Sequence, residues 1–352
     1  MLKQEAMTDD GPMEAIKRGS SPHRHCCDET APVRNPAYGL GPLVVSDHPE
    51  LKVPLDMIRI YARDTPESPC FATRAREPAD TRPYVYRSYR DTLARIVRIA
   101  TGMRASLDIG VGDRIGICSP TREDFHTILF ACGLLRCIAV PIYESIGKDA
   151  VSYIIRHSGV KCVFAAHEKL PVVAEAISRS VEGIPAASSP PVVVTFDDAA
   201  AAGSLASTSL SQIEAIGAAS GAKGQSPPLD RARPDDVMVI MYTSGTTGFP
   251  KGALITHSAA LGSGVAIARK VPEHLRSTDF VILSFMPLAH VFGLAMDYMV
   301  MRVGGCIGFY SGDARKLTDD IAALRPTLLG AVPRVFQASC FPVVCVCVVV
   351  LF

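Results

Sequence analysis

The feature that most constrains the fold of this chain is a repeated alternation between short apolar runs and amphipathic segments with helical spacing. Asp113–Cys118 is an apolar run, Glu123–Leu135 places apolar residues on one face of a helix, and Cys137–Pro141 is the next run. The same order continues over residues 148–196 and 236–331. Because the runs are apolar at consecutive positions, both faces of each strand should be covered. The sequence therefore predicts an α/β fold with two layered parallel-sheet subdomains and flanking helices.

Composition divides the chain into successive stretches. Residues 1–49 form a mixed-charge leader that we expect to be disordered, residues 50–198 the first α/β subdomain, and residues 231–337 an incomplete second one. Between them, residues 199–230 are rich in Ala, Ser and Gly and are predicted to form a surface insertion that buries little. Residues 338–352 are an anomalous apolar tail, too short for a membrane-spanning helix. A final buried strand, a membrane anchor and a segment foreign to the fold are the alternatives for it.

Charge and cysteine content limit the classes of partner and compartment. The 36 Lys and Arg residues against 35 Asp and Glu leave a formal net charge of +1, so no overall field favours nucleic acid. The 11 cysteines lack metal-ligand spacing, and those in apolar runs are expected to be buried reduced thiols: Cys118, Cys132, Cys137 and Cys162. With no secretory signal or transmembrane-length apolar segment, we expect a protein of the cytoplasm, or one held peripherally on the reducing side of an intracellular membrane. The oligomeric state stays open.

Residues 243–252, Thr-Ser-Gly-Thr-Thr-Gly-Phe-Pro-Lys-Gly, are the most informative stretch. Glycine N–H groups, hydroxyls and a lysine ammonium are the donors that a polyphosphate needs, and the stretch follows an apolar strand, where α/β proteins bind ligands. The predicted phosphate-binding residues are Thr243, Ser244, Gly245, Thr246, Thr247, Gly248 and Lys251. The spacing is not that of a Walker A loop, because Gly252 follows the lysine. A flexible Ser/Thr/Gly loop is the alternative, which this density of donors disfavours.

The same loop, with Thr256 and His257 after it, resembles the phosphate signature of the AMP-forming acyl-CoA synthetases, members of the adenylate-forming superfamily. Further stretches resemble the long-chain fatty acid branch of that family: 113–120, 140–143, 287–292, 308–317 and 326–336. The similarity covers roughly residues 50–337. It implies the N-terminal part of the acyl-adenylate-forming fold, with the C-terminal domain missing.

The resemblance implies a two-step ligation that uses ATP, Mg²⁺, coenzyme A and a fatty acid. The fatty acid carboxylate attacks the α-phosphate of ATP to give acyl-AMP and pyrophosphate, and the coenzyme A thiol then displaces AMP. Thr243 is implied as a Mg²⁺ ligand, and Lys251 and His290 as catalytic residues, with His290 beside the substrate carboxylate. Donors and Mg²⁺ fixed around the α-phosphorus suit the charge that gathers there. The competing interpretations are a solvent-facing Lys251 and a His290 that only begins a helix.

Other polar residues in the similar stretches have structural interpretations. Asp313, Arg315 and Lys316 are predicted to cap or decorate the start of a helix. His257 is predicted to begin a helix in a structural role, and Arg334 to support either an acyl tunnel or a helix entry.

The sequence departs from the family pattern after Gln337. The adenine-stacking segment with its Mg²⁺-binding glutamate, the ribose-binding aspartate, the hinge and the lysine-bearing C-terminal domain have no match in it. We therefore expect an incomplete chain that does not turn over by itself. An adenylate-forming enzyme that activates aryl or amino acids, and a non-catalytic ATP- or acyl-binding fragment, are the alternatives.

Overall fold

The structure is a computed structural model. It describes residues 46–75, 83–143, 148–180, 190–197, 205–222, 229–243, 249–273, 276–331 and 347–349. The helices are α1 (Leu55–Asp64), α2 (Tyr89–Leu107), α3 (Glu123–Leu135), α4 (Lys148–Ser158), α5 (Leu170–Ser180), α6 (Leu210–Ala222), α7 (His257–Ala268), α8 (Val291–Arg302) and α9 (Leu317–Leu324). The strands are β1 (Pro69–Arg74), β2 (Tyr84–Ser88), β3 (Arg114–Cys118), β4 (Ile138–Pro141), β5 (Cys162–Ala165), β6 (Val192–Thr195), β7 (Thr208–Ser209), β8 (Val237–Thr243), β9 (Lys251–Thr256), β10 (Val281–Ser284), β11 (Cys306–Phe309), β12 (Leu328–Gly330) and β13 (Cys347–Val349).

The predicted α/β fold with parallel sheets is confirmed. A seven-stranded sheet has the order β7-β6-β5-β3-β4-β8-β9, and only its β8–β9 pair is antiparallel. A six-stranded sheet has the order β13-β12-β10-β11-β1-β2, and only its β1–β2 pair is antiparallel. The central strands β3, β4 and β5 are almost wholly buried, as expected for strands covered on both faces.

Local sequence signals account for the helix boundaries. Helix α3 has the predicted bounds, Glu123–Leu135, and ends where Arg136 takes a left-handed conformation with φ 51°. Helix α2 begins at Tyr89 because the Ser88 side chain accepts a hydrogen bond from the backbone N–H of Asp91. Its apolar residues then face the core that the sheets share.

The sheets do not each draw on one contiguous half of the chain. Strands β1 and β2 fall within residues 50–198 but pair into the six-stranded sheet through Phe71 and Ile307. Strands β8 and β9 fall within residues 231–337 but extend the seven-stranded sheet through Ala139 and Val239. These pairings join residues far apart in sequence, so periodicity could not reveal them. The division into subdomains 50–198 and 231–337 stays a prediction. Each of the two sheets contains strands from both ranges.

The segment predicted to be a surface insertion contains a packed helix. Helix α6 lies within residues 199–230 and packs along α2. A Cβ atom added to Gly102 on α2 would overlap the carbonyl oxygen of Ile213 on α6. A Cβ atom added to Gly217 on α6 would overlap the carbonyl oxygen of Arg98 on α2. The segment therefore includes a helix that the sequence did not predict, and its small residues let it approach α2 closely, while most of its side chains stay exposed.

The described parts of the tail and the cysteines match some expectations. Residues 347–349 form a strand paired in parallel with β12, as the final-strand alternative anticipates; residues 1–45 and Arg334 lie outside the described residues. Among the described helices, none combines the length and hydropathy that crossing a bilayer requires. The cysteines expected to be buried reduced thiols are confirmed as buried and outside any disulfide: Cys118, Cys132, Cys137 and Cys162.

Candidate active site

The predicted phosphate loop connects two strands, rather than leading directly into a helix. Strand β8 pairs antiparallel with β9, and α7 begins only at His257. Residues 244–248 lie outside the described residues, so Ser244, Gly245, Thr246, Thr247 and Gly248 keep their predicted phosphate-binding role as a prediction. The hairpin forms because the backbone groups of β8 not used by β4 pair with β9.

Thr243 and Lys251 are cross-strand partners at the loop end of this hairpin. Both residues are exposed, and no ion pair joins Lys251 to another described residue. Opposed residues in an antiparallel pair have Cβ atoms about 5 Å apart. The hydroxyl and the ammonium can therefore meet one anion, which suits a polyphosphate.

An aromatic stack flanks the same loop. The ring of Phe249 lies parallel to that of Tyr153 on α4, with centroids 4.8 Å apart and an interplanar angle of 14°. Tyr153 stacks in turn on His157, at 5.0 Å and 18°. His157 Nδ1 lies 2.8 Å from the hydroxyl oxygen of Tyr242, which precedes Thr243. Helix α4 thus contacts residues on both sides of the loop. No pattern in the sequence predicted this stack.

His290 follows a strand of the six-stranded sheet and contacts the seven-stranded sheet at the carboxyl end of β4. It follows β10 and occupies the N-cap position of α8, with its side chain exposed and not capping the helix. Its Nε2 lies 3.0 Å from the hydroxyl oxygen of Tyr143, which follows β4. Strand β4 pairs in parallel with β8, so Tyr143 and Thr243 emerge at the same sheet edge. The structure thus brings His290 and the Thr243–Lys251 pair to one edge.

A buried polar cluster lies behind the segment that leads to His290. Asp297 on α8 accepts a 2.8 Å hydrogen bond from the Ser284 hydroxyl and lies 2.7 Å from His126 Nε2 on α3. His126 is 0% and Asp297 1% exposed. Phe71 and Phe130 stack on the imidazole. The cluster joins α3 to the end of β10, and sequence reasoning missed it.

The remaining polar residues have the predicted structural positions. Asp313 caps the short 3₁₀ turn Ala314–Lys316 and forms an ion pair with Arg315. Hydrogen bonding to Arg315 lowers the pKa of Asp313 to about 2. His257 begins α7, as predicted, and its side chain is buried.

Burial lowers the pKa of His257 to about 4, outweighing the opposing attraction of Asp236. The folded protein keeps this imidazole neutral, whereas the unfolded chain protonates it below about pH 6.5. Stability should therefore fall as the pH drops from 6.5 towards 4, by about 3 kcal/mol for this group. Between pH 7 and pH 4.5, the free energy of unfolding from denaturant titrations should fall by about 2 to 3 kcal/mol more in the wild type than in His257→Leu. Parallel losses would contradict the prediction, and His167→Leu, at an exposed position, is the matched control.

The donors fit a nucleotide better than a metal alone. No cluster of His, Cys, Asp and Glu able to hold a metal occurs among the described residues. Mg²⁺ commonly uses one or two protein ligands together with substrate phosphates, so the Thr243 hydroxyl fits that partial role. Separately, an open cavity of about 590 Å³ lies beside α1 and α2, lined in part by Arg59, Leu93 and Arg231, and no predicted site residue borders it.

The fold matches the N-terminal domain of adenylate-forming enzymes. A family model described as AMP-binding enzyme matches residues 60–342, and the chain belongs to this family. Long chain acyl-CoA synthetase 3 from Arabidopsis thaliana is a relative, 30% identical over 292 residues, which cover 80% of this chain and 42% of that protein. The chain spans less than half the length of the curated relatives it matches.

Solved structures have the same fold. The inhibitor-bound N-terminal domain of FACL13 from Mycobacterium tuberculosis has a TM-score of 0.63 and 26% identity, over 82% of this chain and 65% of that one. The adenylation domain of a carboxylate reductase from Mycobacterium chelonae has a TM-score of 0.67 over 84% of this chain and 48% of that one. At 21% identity, the second likeness shows the fold alone.

Proposed function

We propose that the protein containing these residues is an AMP-forming long-chain fatty acid–CoA ligase. The observation that carries the proposal is the match to a long chain acyl-CoA synthetase over 80% of the chain. The cross-strand pair of Thr243 and Lys251 beside the predicted phosphate loop supports it. The substrates are a fatty acid, ATP and coenzyme A, and Mg²⁺ is the metal cofactor.

In the first half-reaction, a carboxylate oxygen of the fatty acid bonds to the α-phosphorus and pyrophosphate leaves. Negative charge accumulates on the phosphate oxygens in this step, so fixed donors lower its barrier. Lys251 donates to these oxygens from the first residue of β9, and Thr243 contributes its hydroxyl from the last residue of β8. The Thr243 hydroxyl would also hold Mg²⁺, which when bound would supply further positive charge there.

His290 is proposed to orient the fatty acid carboxylate. Its imidazole is exposed at the sheet edge and is fixed by Tyr143, whose ring lies 4.9 Å away at 78°. Release from Tyr143 frees Nε2 to hydrogen-bond a carboxylate. In the second half-reaction the coenzyme A thiolate attacks the acyl carbonyl carbon, and AMP leaves with the bridging oxygen.

The proposal concerns the whole protein to which residues 1–352 belong. That this stretch alone does not turn over stays a prediction. We also propose a location in the cytoplasm or peripherally on the reducing side of an intracellular membrane, which the buried free thiols support.

The substrate class is tested by the dependence of activation on chain length. Each methylene buried in an apolar site adds about 0.8 kcal/mol, or roughly fourfold in affinity. ATP–pyrophosphate exchange should therefore rise steeply from acetate through octanoate to palmitate in kcat/KM.

Other outcomes separate the alternatives. A maximum at acetate, at a hydroxycinnamate or at an amino acid would contradict the long-chain assignment and leave the adenylate-forming family. Binding of Mg-ATP or palmitate without exchange, in the intact protein, would favour the non-catalytic binding protein. The Lys251→Ala variant, assayed with every acid, is the control for exchange that does not use this site.

A further inference from the structure

The aromatic stack beside the phosphate loop begins at an unusually exposed side chain. Phe249 is 63% exposed, and its described ring contact is with Tyr153. The other end of the stack is anchored, because Tyr153 packs against a buried cluster that includes Ile154 and Tyr242. An exposed phenyl ring is therefore fixed to the body of the seven-stranded sheet through α4.

The stack joins the two chain segments that border residues 244–248. Tyr242 precedes Thr243, and Phe249 lies two residues before Lys251. The path between them runs through Tyr153 and His157 and ends at the 2.8 Å contact of His157 Nδ1 with Tyr242. Each side of the loop therefore has a rigid contact with α4, in addition to the strand pairing of β8 with β9.

We propose that Tyr153 is a positioning residue for nucleotide binding and that it acts through its contact with Phe249. The stack restrains the segment that carries Lys251, so less conformational freedom is lost when the phosphates bind. This inference rests on the proposed function, since it assumes that the Thr243–Lys251 edge binds Mg-ATP. It assigns the specific task of holding the segment Phe249–Lys251 to a helix outside the signature sequence.

The stack can be observed without any ligand, because the chain contains no tryptophan. Phe249→Trp introduces a single fluorescent reporter at the exposed end. In this variant, stacking on Tyr153 should give high anisotropy, while the exposed position keeps the indole accessible to acrylamide. Adding Tyr153→Leu should lower the anisotropy. Equal anisotropy in the two variants would overturn the proposal.

The positioning role is tested by the affinity of the chain for Mg-ATP, measured by titration calorimetry. Removing an aromatic pair should raise the Kd about threefold to tenfold, for Phe249→Leu and for Tyr153→Leu alike. The double variant should bind no more weakly than Tyr153→Leu alone, because Tyr153→Leu already removes the contact with Phe249. Phe249→Tyr keeps the ring and should bind as wild type does. Tyr86→Leu, at a 51% exposed tyrosine on β2, is the matched control.

The possible results distinguish this inference from the proposed function. Changed fluorescence with unchanged Mg-ATP affinity would make the stack merely structural and overturn the positioning role. Fully additive losses in the double variant would also overturn it. Mg-ATP that does not bind the wild type would refute the nucleotide site itself, and the positioning role with it. Tight wild-type binding with no effect of Phe249→Leu would refute the stack's role alone.

Discussion

Replacing Asp297 with alanine should lower the free energy of unfolding by about 2–5 kcal/mol, because each of its two buried hydrogen-bond partners is left unpaired at about 1–3 kcal/mol. The Asp297 carboxylate is 1% exposed and serves both His126 and the Ser284 hydroxyl. His126 Nδ1 has no hydrogen-bond partner among the described residues, so the variant leaves both ring nitrogens unpaired. The rings of Phe71 and Phe130 stack on that imidazole and offer it no hydrogen bond. Equilibrium denaturation, read as the shift in midpoint at constant slope, measures the loss.

Two further variants make this result interpretable. Asp319→Ala removes an exposed carboxylate on α9 and should change stability by less than about 1 kcal/mol. The triple variant with His126→Leu, Ser284→Ala and Asp297→Val removes every polar member of the cluster and should be more stable than Asp297→Ala by at least about 1 kcal/mol. If Asp297→Ala were as mild as Asp319→Ala, the cluster would not stabilise the protein.

Replacing Lys251 with alanine should raise the Kd for Mg-ATP by roughly 10- to 150-fold, equivalent to about 1.5–3 kcal/mol for a charge-assisted hydrogen bond. The ammonium lies at the loop end of β9, exposed and beside Thr243, so a phosphate is its expected partner. Thr243→Ala removes a neutral donor and should have a smaller effect, up to about tenfold. Calorimetry with Mg-ATP measures both.

The charge itself is separated from the side chain by Lys251→Arg, which should recover part of the affinity because it keeps a cation at this position. Lys52→Ala removes an exposed lysine next to α1 and should leave the affinity unchanged. An unchanged Kd in both Lys251→Ala and Thr243→Ala would show that this hairpin is not the phosphate site.

Local pattern was sufficient for most strands and helices but not for their pairing. Apolar runs such as Arg114–Cys118 identify strands because burial on both faces demands them. Strand β9 was missed because Lys251 and Gly252 belong to a loop signature, and only pairing with β8 makes them a strand. Helix α6 was missed because its small residues have little apolar area, although they suit close packing on α2.

At the candidate site, the residues proposed to contact phosphate could be predicted from the sequence, but the residues that pack behind them could not. A signature of hydroxyls, glycines and a lysine specifies phosphate chemistry, so Thr243 and Lys251 could be found from sequence. His126 and Asp297 lie on helices distant in sequence, and only the fold brings them together. One signal was present, since each is a polar residue inside an otherwise buried helical run.

The interleaving of the two sheets affects how the chain folds during synthesis. Strands β3, β4 and β5 follow one another, so most of the seven-stranded sheet can assemble soon after those residues leave the ribosome. The β1–β2 hairpin has to wait, since Phe71 pairs with Ile307. At about 5–20 residues per second, this wait lasts on the order of ten seconds or more. During that interval the unpaired edge of β1 and the exposed Val85 and Tyr86 on β2 are open to association with neighbouring nascent chains.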